Sequence, residues 1–360
     1  MVDEIYDRGG ADVPLELALI SALGYANGTR VTNDIVARNP IWTRDTPRFK
    51  IWNDIARLAA RKGIFIHPDT HVGKAQACCS HTDGNAWFDD VNFKTANWKR
   101  GLAYVANWAK NHTNIVSMSL RHGLRESYLA GQQGQGYNWQ TFVGNMTAGA
   151  DAIHAANPDL LITWGGLQNG EDLSALTARK NLLTAPCYRC TAIRDAYRRD
   201  PVYFGLTNQT WANKIVWELN LFADSENIDT GNCHMIEAAL YRNGFNALGM
   251  PPPAACNVTA DCTAAARLTP VMISEFGHAQ DPTLLTDITQ NCLKEYTKRY
   301  SVSWVMWGLP GSHRIRDGIL GFVDPWGLAN NNLTGWRYPE GVEAHWKPWV
   351  ADMGVTKPPA

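Results

Sequence analysis

The sequence predicts one α/β domain of the (β/α)8 barrel type, a TIM-barrel-like fold whose first two strands are missing or remodelled. Strand-like runs alternate with helical stretches over most of the 360 residues, which is typical of a parallel sheet covered by helices. Several of these runs are apolar on both faces, as the wall of a barrel is. With 45% hydrophobic and 19% charged residues, the chain can bury a large core.

The order of the elements supports the barrel. Six strands are predicted, at residues 64–69, 115–120, 160–166, 214–222, 270–276 and 302–309. Helical patterns at 97–111 and 139–157 separate the first three. Residues 168–212 and 223–265 are long connections that follow strands, and in a βα barrel the loops after the strands form the active-site face.

Six strands are two fewer than a closed barrel needs. We expect residues 1–45 to be an atypical segment that replaces the first two βα units, and residues 346–360 to be a C-terminal tail of the single domain 1–360. Relative to a whole barrel, the start of the chain is predicted to be truncated. An open sheet edge exposes unpaired backbone groups, so we expect either a homodimer through that edge or a cap formed by residues 1–45.

Charge and hydropathy exclude several classes of partner. A net charge of -1 and a pI near 6.8 provide no basic surface for nucleic acid or for an anionic membrane. No apolar run reaches the roughly 20 residues that cross a bilayer, and the best candidate, residues 15–25, is predicted to be a soluble amphipathic helix. The expected partner is therefore a small-molecule ligand, with no nucleic acid and no membrane.

The N-terminus and the cysteines indicate different compartments. Met1 precedes neither a basic nor an apolar segment, so no signal peptide is predicted and a cytoplasmic location is expected. Eight cysteines and six Asn-x-Ser/Thr sequons favour the alternative, a secreted protein whose leader was removed. Cys187 and Cys190 have metal-like spacing, but Cys256 and Cys262 are too far apart to complete a zinc site. Disulfides or buried thiols are predicted instead.

Four motifs follow the predicted strands in order. They are Asp69-Thr-His71 with Cys78-Cys79-Ser and Asp83-Gly-Asn85, Arg121-His122-Gly123-Leu124-Arg125, Ser274-Glu275-Phe276-Gly277, and Trp304-Val-Met-Trp307 leading into Gly311-Ser312 and Arg316. In this order and at this spacing they resemble glycoside hydrolase family 5, in particular its plant and fungal cellulase-like members. The resemblance extends from residue 64 to about residue 350.

The resemblance implies a retaining mechanism with two carboxylates. One attacks the sugar, while a second, about 5 Å away, protonates the leaving oxygen and then activates water. Glu275 matches the nucleophile. The acid/base glutamate of an Arg-Asn-Glu-Leu-Arg motif falls on Gly123, and the preceding asparagine falls on His122. We therefore expect a degenerate member that is not a functional retaining glycosidase, in which Glu275 is either a reactive carboxylate or an inert relic.

Other family positions differ as well. Asn220 and Phe222 replace the His-x-Tyr group at the end of the sixth strand, Ala77 replaces an aromatic residue, and His313 replaces a tyrosine. Losing the tyrosine hydroxyl removes a group that positions the nucleophile. Together with Gly123, these changes remove polar groups and open space, so these five residues are predicted to line the binding pocket.

The remaining site candidates keep the character of the family's pocket. Asp69 and His71 match residues near the catalytic centre, and Trp307 matches the aromatic floor on which the sugar stacks. His122 is a candidate proton donor because histidine titrates near neutral pH. In the alternative it only lines the pocket, since adjacent strand residues point to opposite sides.

Metal binding and cofactors are not expected. His67 and His71 flank Asp69 at metal-like spacing, but no third ligand is evident in the sequence. Arg121 and Arg125 are predicted to be structural ion-pair partners at the barrel rim. Four tryptophans are assigned to the core rather than to sugar platforms: Trp87, Trp98, Trp108 and Trp217.

Three functions agree with this pattern. The favoured one is a repurposed enzyme that binds and transforms a small, largely apolar molecule by cyclisation, isomerisation or rearrangement, for example in secondary-metabolite biosynthesis. The second is a non-catalytic carbohydrate-binding pseudoenzyme. The third is a weak residual β-glycosidase that uses Glu275 on substrates with good leaving groups.

Overall fold

Five parallel strands form one sheet, in the order β1-β2-β3-β4-β5, in the computed structural model of the chain. The structure describes residues 12–74, 78–129, 135–177, 205–222, 231–257, 262–316 and 319–354, with the backbone alone over 313–316 and 319–320. The parallel strands are β1 (Ser117–Ser119), β2 (Leu161–Trp164), β3 (Ile215–Asn220), β4 (Val271–Phe276) and β5 (Trp304–Met306). An antiparallel hairpin follows, made of β6 (Ser312–Arg316) and β7 (Ile319–Val323).

Helices lie before and between the strands. Before β1 they are α1 (Leu15–Leu23), α2 (Tyr25–Arg38), α3 (Arg48–Arg61) and α4 (Thr95–Ala109). Between the strands lie α5 (Trp139–Ala156), α6 (Ser174–Thr177), α7 (Cys233–Asn243) and α8 (Ile288–Tyr300). The C-terminal stretch contains α9 (Pro339–Gly341), a π-helical turn (Val342–Trp346) and α10 (Lys347–Asp352). The predicted parallel α/β barrel fold is confirmed, and its described part is a partial barrel.

The first predicted strand, 64–69, is not a regular strand. It makes one parallel bridge, between Ile66 and Ile115, and then runs beside β1 with isolated backbone hydrogen bonds. Ser119 donates to the carbonyl of Pro68 at 2.9 Å, and His122 donates to that of Thr70 at 3.0 Å. Pro68 has no backbone N–H to donate to a ladder. The segment therefore follows the sheet edge without joining it as a sixth strand.

Two helices precede α3, where a whole barrel would have its first βα units. A side chain on Gly28 of α2 would collide with the backbone of Ile20 in α1, at 2.5 Å from its Cα. Glycine therefore lets the two helices pack closely. No described helix is long and apolar enough to cross a membrane. The homodimer through the sheet edge stays a prediction.

The core lies between the sheet and its helices and is rich in aromatic residues. Trp164 packs against Trp211 and Trp217, with ring centroids 5.7 Å apart in each pair. The core assignment of Trp87, Trp98 and Trp217 is confirmed, since each is at least 96% buried. Trp108 is partly buried against the same core. Buried tryptophans of β2 and β3 thus pack against one another within this core.

The C-terminal stretch packs on the sheet. Trp346 and Trp349 are buried and stack with their rings 5.6 Å apart, and Trp349 lies 5.2 Å from Phe276 of β4. Residues 346–354 of the predicted tail are therefore part of the barrel, because two tryptophans bury a large apolar area there. Residues 355–360 lie outside the described residues.

Disulfide bonds connect described cysteines, as the sequence predicts. Cys233 of α7 bonds Cys292 of α8, and Cys256 bonds Cys262. Cys78 bonds its neighbour Cys79. Cys187 and Cys190 lie outside the described residues.

Candidate active site at the carboxyl ends of the strands

The candidate residues lie where the parallel strands end. Asp69 and His71 follow the bridge at Ile66, His122 follows β1, and Asn220 and Glu275 lie near the ends of β3 and β4. Backbone hydrogen bonds hold these ends together: His122 to Thr70, Leu221 to the carbonyl of Glu275 at 2.8 Å, and Trp307 to that of Phe276 at 2.7 Å. Parallel strands thus bring side chains from distant parts of the chain to one face of the sheet.

His122 is the centre of the cluster. Its Nε2 is hydrogen-bonded to Oε2 of Glu275, and its Nδ1 lies 3.3 Å from Oδ2 of Asp69. The same carboxylate oxygen lies 2.7 Å from Nε2 of His71. The two imidazole rings are stacked, 4.3 Å apart and 14° from parallel. His122 therefore separates the candidate nucleophile from the Asp69–His71 pair.

The orientation of His122 follows from the turn after β1. The strand ends at Ser119, and Gly123 has φ 64°, so strand alternation does not govern residues 121–124. The argument that neighbours point to opposite sides fails here for that reason. The structure thus places His122 against Glu275, next to Gly123, where the acid/base glutamate is missing.

Electrostatic contacts favour a charged His122. Burial opposes the charge, but the carboxylates of Asp69 and Glu275 outweigh it and raise the pKa of His122 to about 9. Burial likewise opposes ionisation of Asp69, but His122 and His71 hold the pKa of Asp69 well below its usual range. In the metal-free protein at neutral pH, an imidazolium therefore lies between two carboxylates.

Asn220 lies beside the Nε2 edge of His122. Its side chain is buried, and its amide nitrogen lies 2.8 Å from Nε2 of His122 and donates to the carbonyl of Asn169 at 2.6 Å. Ser274 donates to its amide oxygen at 2.8 Å. Phe222, two residues further on, has its ring 5.7 Å from that of Trp326. Asn220 is thus a buried polar neighbour of His122, and Phe222 makes an apolar contact with Trp326.

Glu218 is a buried carboxyl group beneath the cluster that the sequence prediction missed. Ser119 donates to its Oε1 at 2.8 Å. A side chain on Gly165 would come within 3.3 Å of the same oxygen, so glycine leaves room for it. Burial and the charge of Asp69 raise the pKa of Glu218. The available signal was an acidic residue in an apolar strand, two positions before Asn220 and hence on the same strand face.

Two sulfur atoms lie beside the position of the missing acid/base. A β-carbon on Gly123 would lie 3.3 Å from Sγ of Cys79 and 4.0 Å from that of Cys78. Arg125 donates to the carbonyl of Gly123 at 2.7 Å and pairs with Asp83 at 2.5 Å, in agreement with its predicted structural role. The loop around Gly123 is therefore packed and bonded, and it presents no carboxyl group to Glu275.

The other candidates lie further out. The Trp307 ring is 6.4 Å from that of His71. Arg121 donates to the carbonyl of Asn85 at 2.8 Å and stacks over Phe93 at 4.3 Å. Ala77 lies outside the described residues, and His313 lies in β6 with its side chain outside the described part. The pocket roles predicted for Trp307, Ala77 and His313 stay predictions.

A cavity of about 150 Å³ adjoins the cluster, between the segment 68–73 and α4. Its wall is mostly apolar and includes Trp52, Phe93, Trp98, Leu102, Val105 and Met118. Asp69, His71 and Arg121 are among the polar residues of the wall. Asp69 and His71 therefore belong both to the cavity and to the cluster around His122.

The chain is similar to known proteins in sequence and in fold. The chain is 27% identical over 320 residues to a "Glycosyl hydrolase 5 family protein" of Chamaecyparis obtusa, covering 88% of this chain and 50% of that protein. An endocellulase of Pyrococcus horikoshii in complex with cellotetraose matches with a TM-score of 0.56 and 16% identity, over 88% of this chain and 77% of the other. The chain resembles glycoside hydrolase family 5 in sequence and in fold.

Further comparisons limit how far the resemblance to family 5 extends. The catalytic domain of the major endoglucanase of Xanthomonas campestris matches this family 5-like barrel with a TM-score of 0.51 and 14% identity, over 85% of this chain and 74% of the other. The barrel spans about half the length of the curated relative. No family model matches its sequence. At such low sequence identity, the match to the solved structures establishes the fold alone. The chemistry must therefore be argued from the site itself.

Proposed function

We propose that this family 5-like barrel is not a functional retaining glycosidase and instead binds and transforms a small, largely apolar molecule at the carboxyl ends of its strands. The observation that carries the proposal is the hydrogen bond between His122 and Glu275. A charge-assisted bond from the imidazolium stabilises this carboxylate and so weakens it as the nucleophile that a retaining glycosidase uses. Cyclisation, isomerisation and rearrangement are the reaction classes that need a shaped site more than a nucleophile.

The environment of Gly123 supports the loss of hydrolysis. A retaining enzyme needs a second carboxyl group about 5 Å from the nucleophile. Gly123 has no side chain, and a β-carbon there would lie 3.3 Å from the sulfur of Cys79. The proton donor nearest Glu275 is then His122, which is already bonded to it. Losing a general acid/base alone typically costs a factor of about 10² to 10⁴ in rate.

The cavity supports a ligand that is small and largely apolar. Its walls are chiefly tryptophan, phenylalanine and aliphatic side chains, with Asp69 and His71 at the border with the cluster. Ligand sites of this type combine an apolar wall with a few placed polar groups. A molecule in the cavity would therefore present one polar end to Asp69 and His71. The proposal includes secondary-metabolite biosynthesis as the setting of the reaction.

Blocking the cavity tests this proposal. Gly101 of α4 lines the cavity, so Gly101→Met should fill part of it. Gly144→Met on exposed α5 surface, where no atom lies within 4 Å of a new β-carbon, is the matched control. We expect native mass spectrometry to detect a bound small organic molecule in the wild type and Gly144→Met, at severalfold lower occupancy in Gly101→Met. Equal occupancy in all three proteins, or an empty wild type after incubation with a host-cell metabolite extract, would overturn it.

A carbohydrate-binding pseudoenzyme is the second candidate, and Trp307 favours it. This half-buried ring lies beside His71, whose side chain is 30% exposed, and Asp69 is 24% exposed. An aromatic face next to accessible polar groups suits a sugar. Calorimetry with cello-oligosaccharides separates the candidates: binding that Trp307→Ala abolishes and Trp336→Ala preserves would favour the pseudoenzyme. Trp336 is 47% exposed and serves as the control.

A further inference from the structure

Three potential metal ligands converge at the border between the cavity and the cluster. Asp69, His71 and His122 each offer one ligand atom, and these atoms all lie within 4.8 Å of one another. The atoms in direct contact are Oδ2 of Asp69, Nε2 of His71 and Nδ1 of His122. The shared carboxylate oxygen lies 2.7 Å from the first imidazole and 3.3 Å from the second. We propose that Asp69, His71 and His122 bind one divalent transition-metal ion.

The donor set defines the class of metal. Two imidazole nitrogens and one carboxylate oxygen are a borderline set that suits first-row divalent ions such as Zn²⁺, Fe²⁺ and Co²⁺ rather than Ca²⁺ or Mg²⁺. Three protein ligands leave coordination positions for water or a substrate atom, as in catalytic rather than structural sites. The adjoining cavity provides the route by which such a molecule would reach the ion.

Glu275 supplies the support that a metal-binding histidine needs. A ligating imidazole usually donates its other N–H to a carboxylate, which fixes the ring and its tautomer. His122 has this arrangement, since its Nε2 contacts Glu275 while its Nδ1 faces Asp69. The ion would take the position of the Nδ1 proton, which would be released to solvent. Glu275 would then orient His122 as a metal ligand through its hydrogen bond to Nε2.

The ligand set differs from the pattern visible in the sequence. There, His67 and His71 flank Asp69, but His67 faces another part of the barrel, with its Nδ1 2.7 Å from the hydroxyl of Ser117 and its Nε2 3.4 Å from that of Thr163. His122, 51 residues from His71 along the chain, takes the third place instead. Access differs as well, since Asp69 and His71 are partly exposed while His122 is buried.

The experiment measures metal binding without any substrate, so its result does not depend on the proposed function. The metal-stripped chain is titrated with Zn²⁺ by calorimetry and with Co²⁺ by visible absorption. We expect one equivalent to bind, with a rise in Tm that grows with metal concentration. His71→Ala and Asp69→Asn should each weaken binding at least tenfold. Glu275→Gln should weaken it roughly 10- to 100-fold while keeping one equivalent.

A control separates this site from adventitious binding by other histidines. His234→Ala removes an exposed histidine that lies at the start of α7, and it should leave the affinity unchanged. Circular dichroism of the metal-free variants shows whether each is folded. The proposal is overturned if the wild type shows neither calorimetric binding nor a Tm shift with either metal. It is also overturned if folded His71→Ala binds as tightly as the wild type.

Discussion

A β-carbon on Gly123 would lie 3.3 Å from the sulfur of Cys79, and the backbone there has φ 64°. Both facts oppose a side chain at the position where family 5 enzymes carry their acid/base glutamate. A left-handed backbone costs a residue with a β-carbon roughly 1–2 kcal/mol. The contact with Cys79 requires a further local shift.

Gly123→Glu is therefore expected not to restore hydrolysis, because the left-handed backbone and the close contact with Cys79 both oppose a side chain at this position. Gly123→Ala should lower the free energy of unfolding by about 1 kcal/mol more than Gly354→Ala. The control shares the backbone, with φ 60°, but has no atom within 4 Å of a new β-carbon. Urea unfolding measures the difference, and cellobioside assays measure activity. Hydrolysis by Gly123→Glu well above the wild-type rate would contradict the argument.

Residual glycosidase chemistry is tested at Glu275. We expect no covalent adduct on the wild type with a 2-fluoro-cellobioside that has a good leaving group, because the charge-assisted bond from His122 weakens Glu275 as a nucleophile. Intact-protein mass spectrometry reports the adduct. A mass increase in the wild type that is absent from Glu275→Gln would establish the nucleophile as active and refute this prediction.

Acid stability should depend on His345. It is 2% exposed, packs against Trp346 and Trp349, and has a pKa lowered to about 4 by burial and by the nearby charges of Lys294 and His278, partly opposed by Asp287. The unfolded chain binds a proton near pH 6.5 while the folded one does not. Stability is therefore full above pH 6.5 and is lost as pH falls toward 4.

The lowered pKa of His345 corresponds to a loss of about 3 kcal/mol in the free energy of unfolding at pH 4, relative to neutral pH. Urea unfolding at pH 7 and pH 4 should show a smaller loss of stability in His345→Phe than in the wild type. His234→Asn, a change at an exposed position, should lose as much stability as the wild type. Equal losses in all three proteins would show that His345 is not the group responsible.

The disulfide between Cys233 and Cys292 should contribute more to stability than the one between Cys256 and Cys262. Their partners are 59 and 6 residues apart in the chain, and chain entropy makes the longer loop worth about 4 kcal/mol against about 2 kcal/mol. Paired cysteine-to-serine variants compared by urea unfolding under non-reducing conditions measure this. A larger loss for the shorter loop would contradict the entropic argument.

The fold was largely predictable because it rests on local patterns. Five of the six predicted strands form the parallel sheet, and alternation of strands and helices requires only short-range periodicity. Two features depended on particular residues instead. Pro68 prevents residues 64–69 from joining the ladder. Trp346 and Trp349 bring the predicted tail into the core, and their partner Phe276 is 70 or more residues away.

The sequence by itself determined the resemblance to family 5, the match of Glu275 to its nucleophile, and the replacement of its acid/base by Gly123. Only the tertiary structure placed His122 on Glu275, 153 residues along the chain, and brought its other nitrogen to Asp69. It also placed the Cys78–Cys79 sulfurs in the space next to Gly123. Motifs show which residues a chain has kept or lost. Which atoms meet depends on strand register and on turns such as that at Gly123, which bring distant residues together.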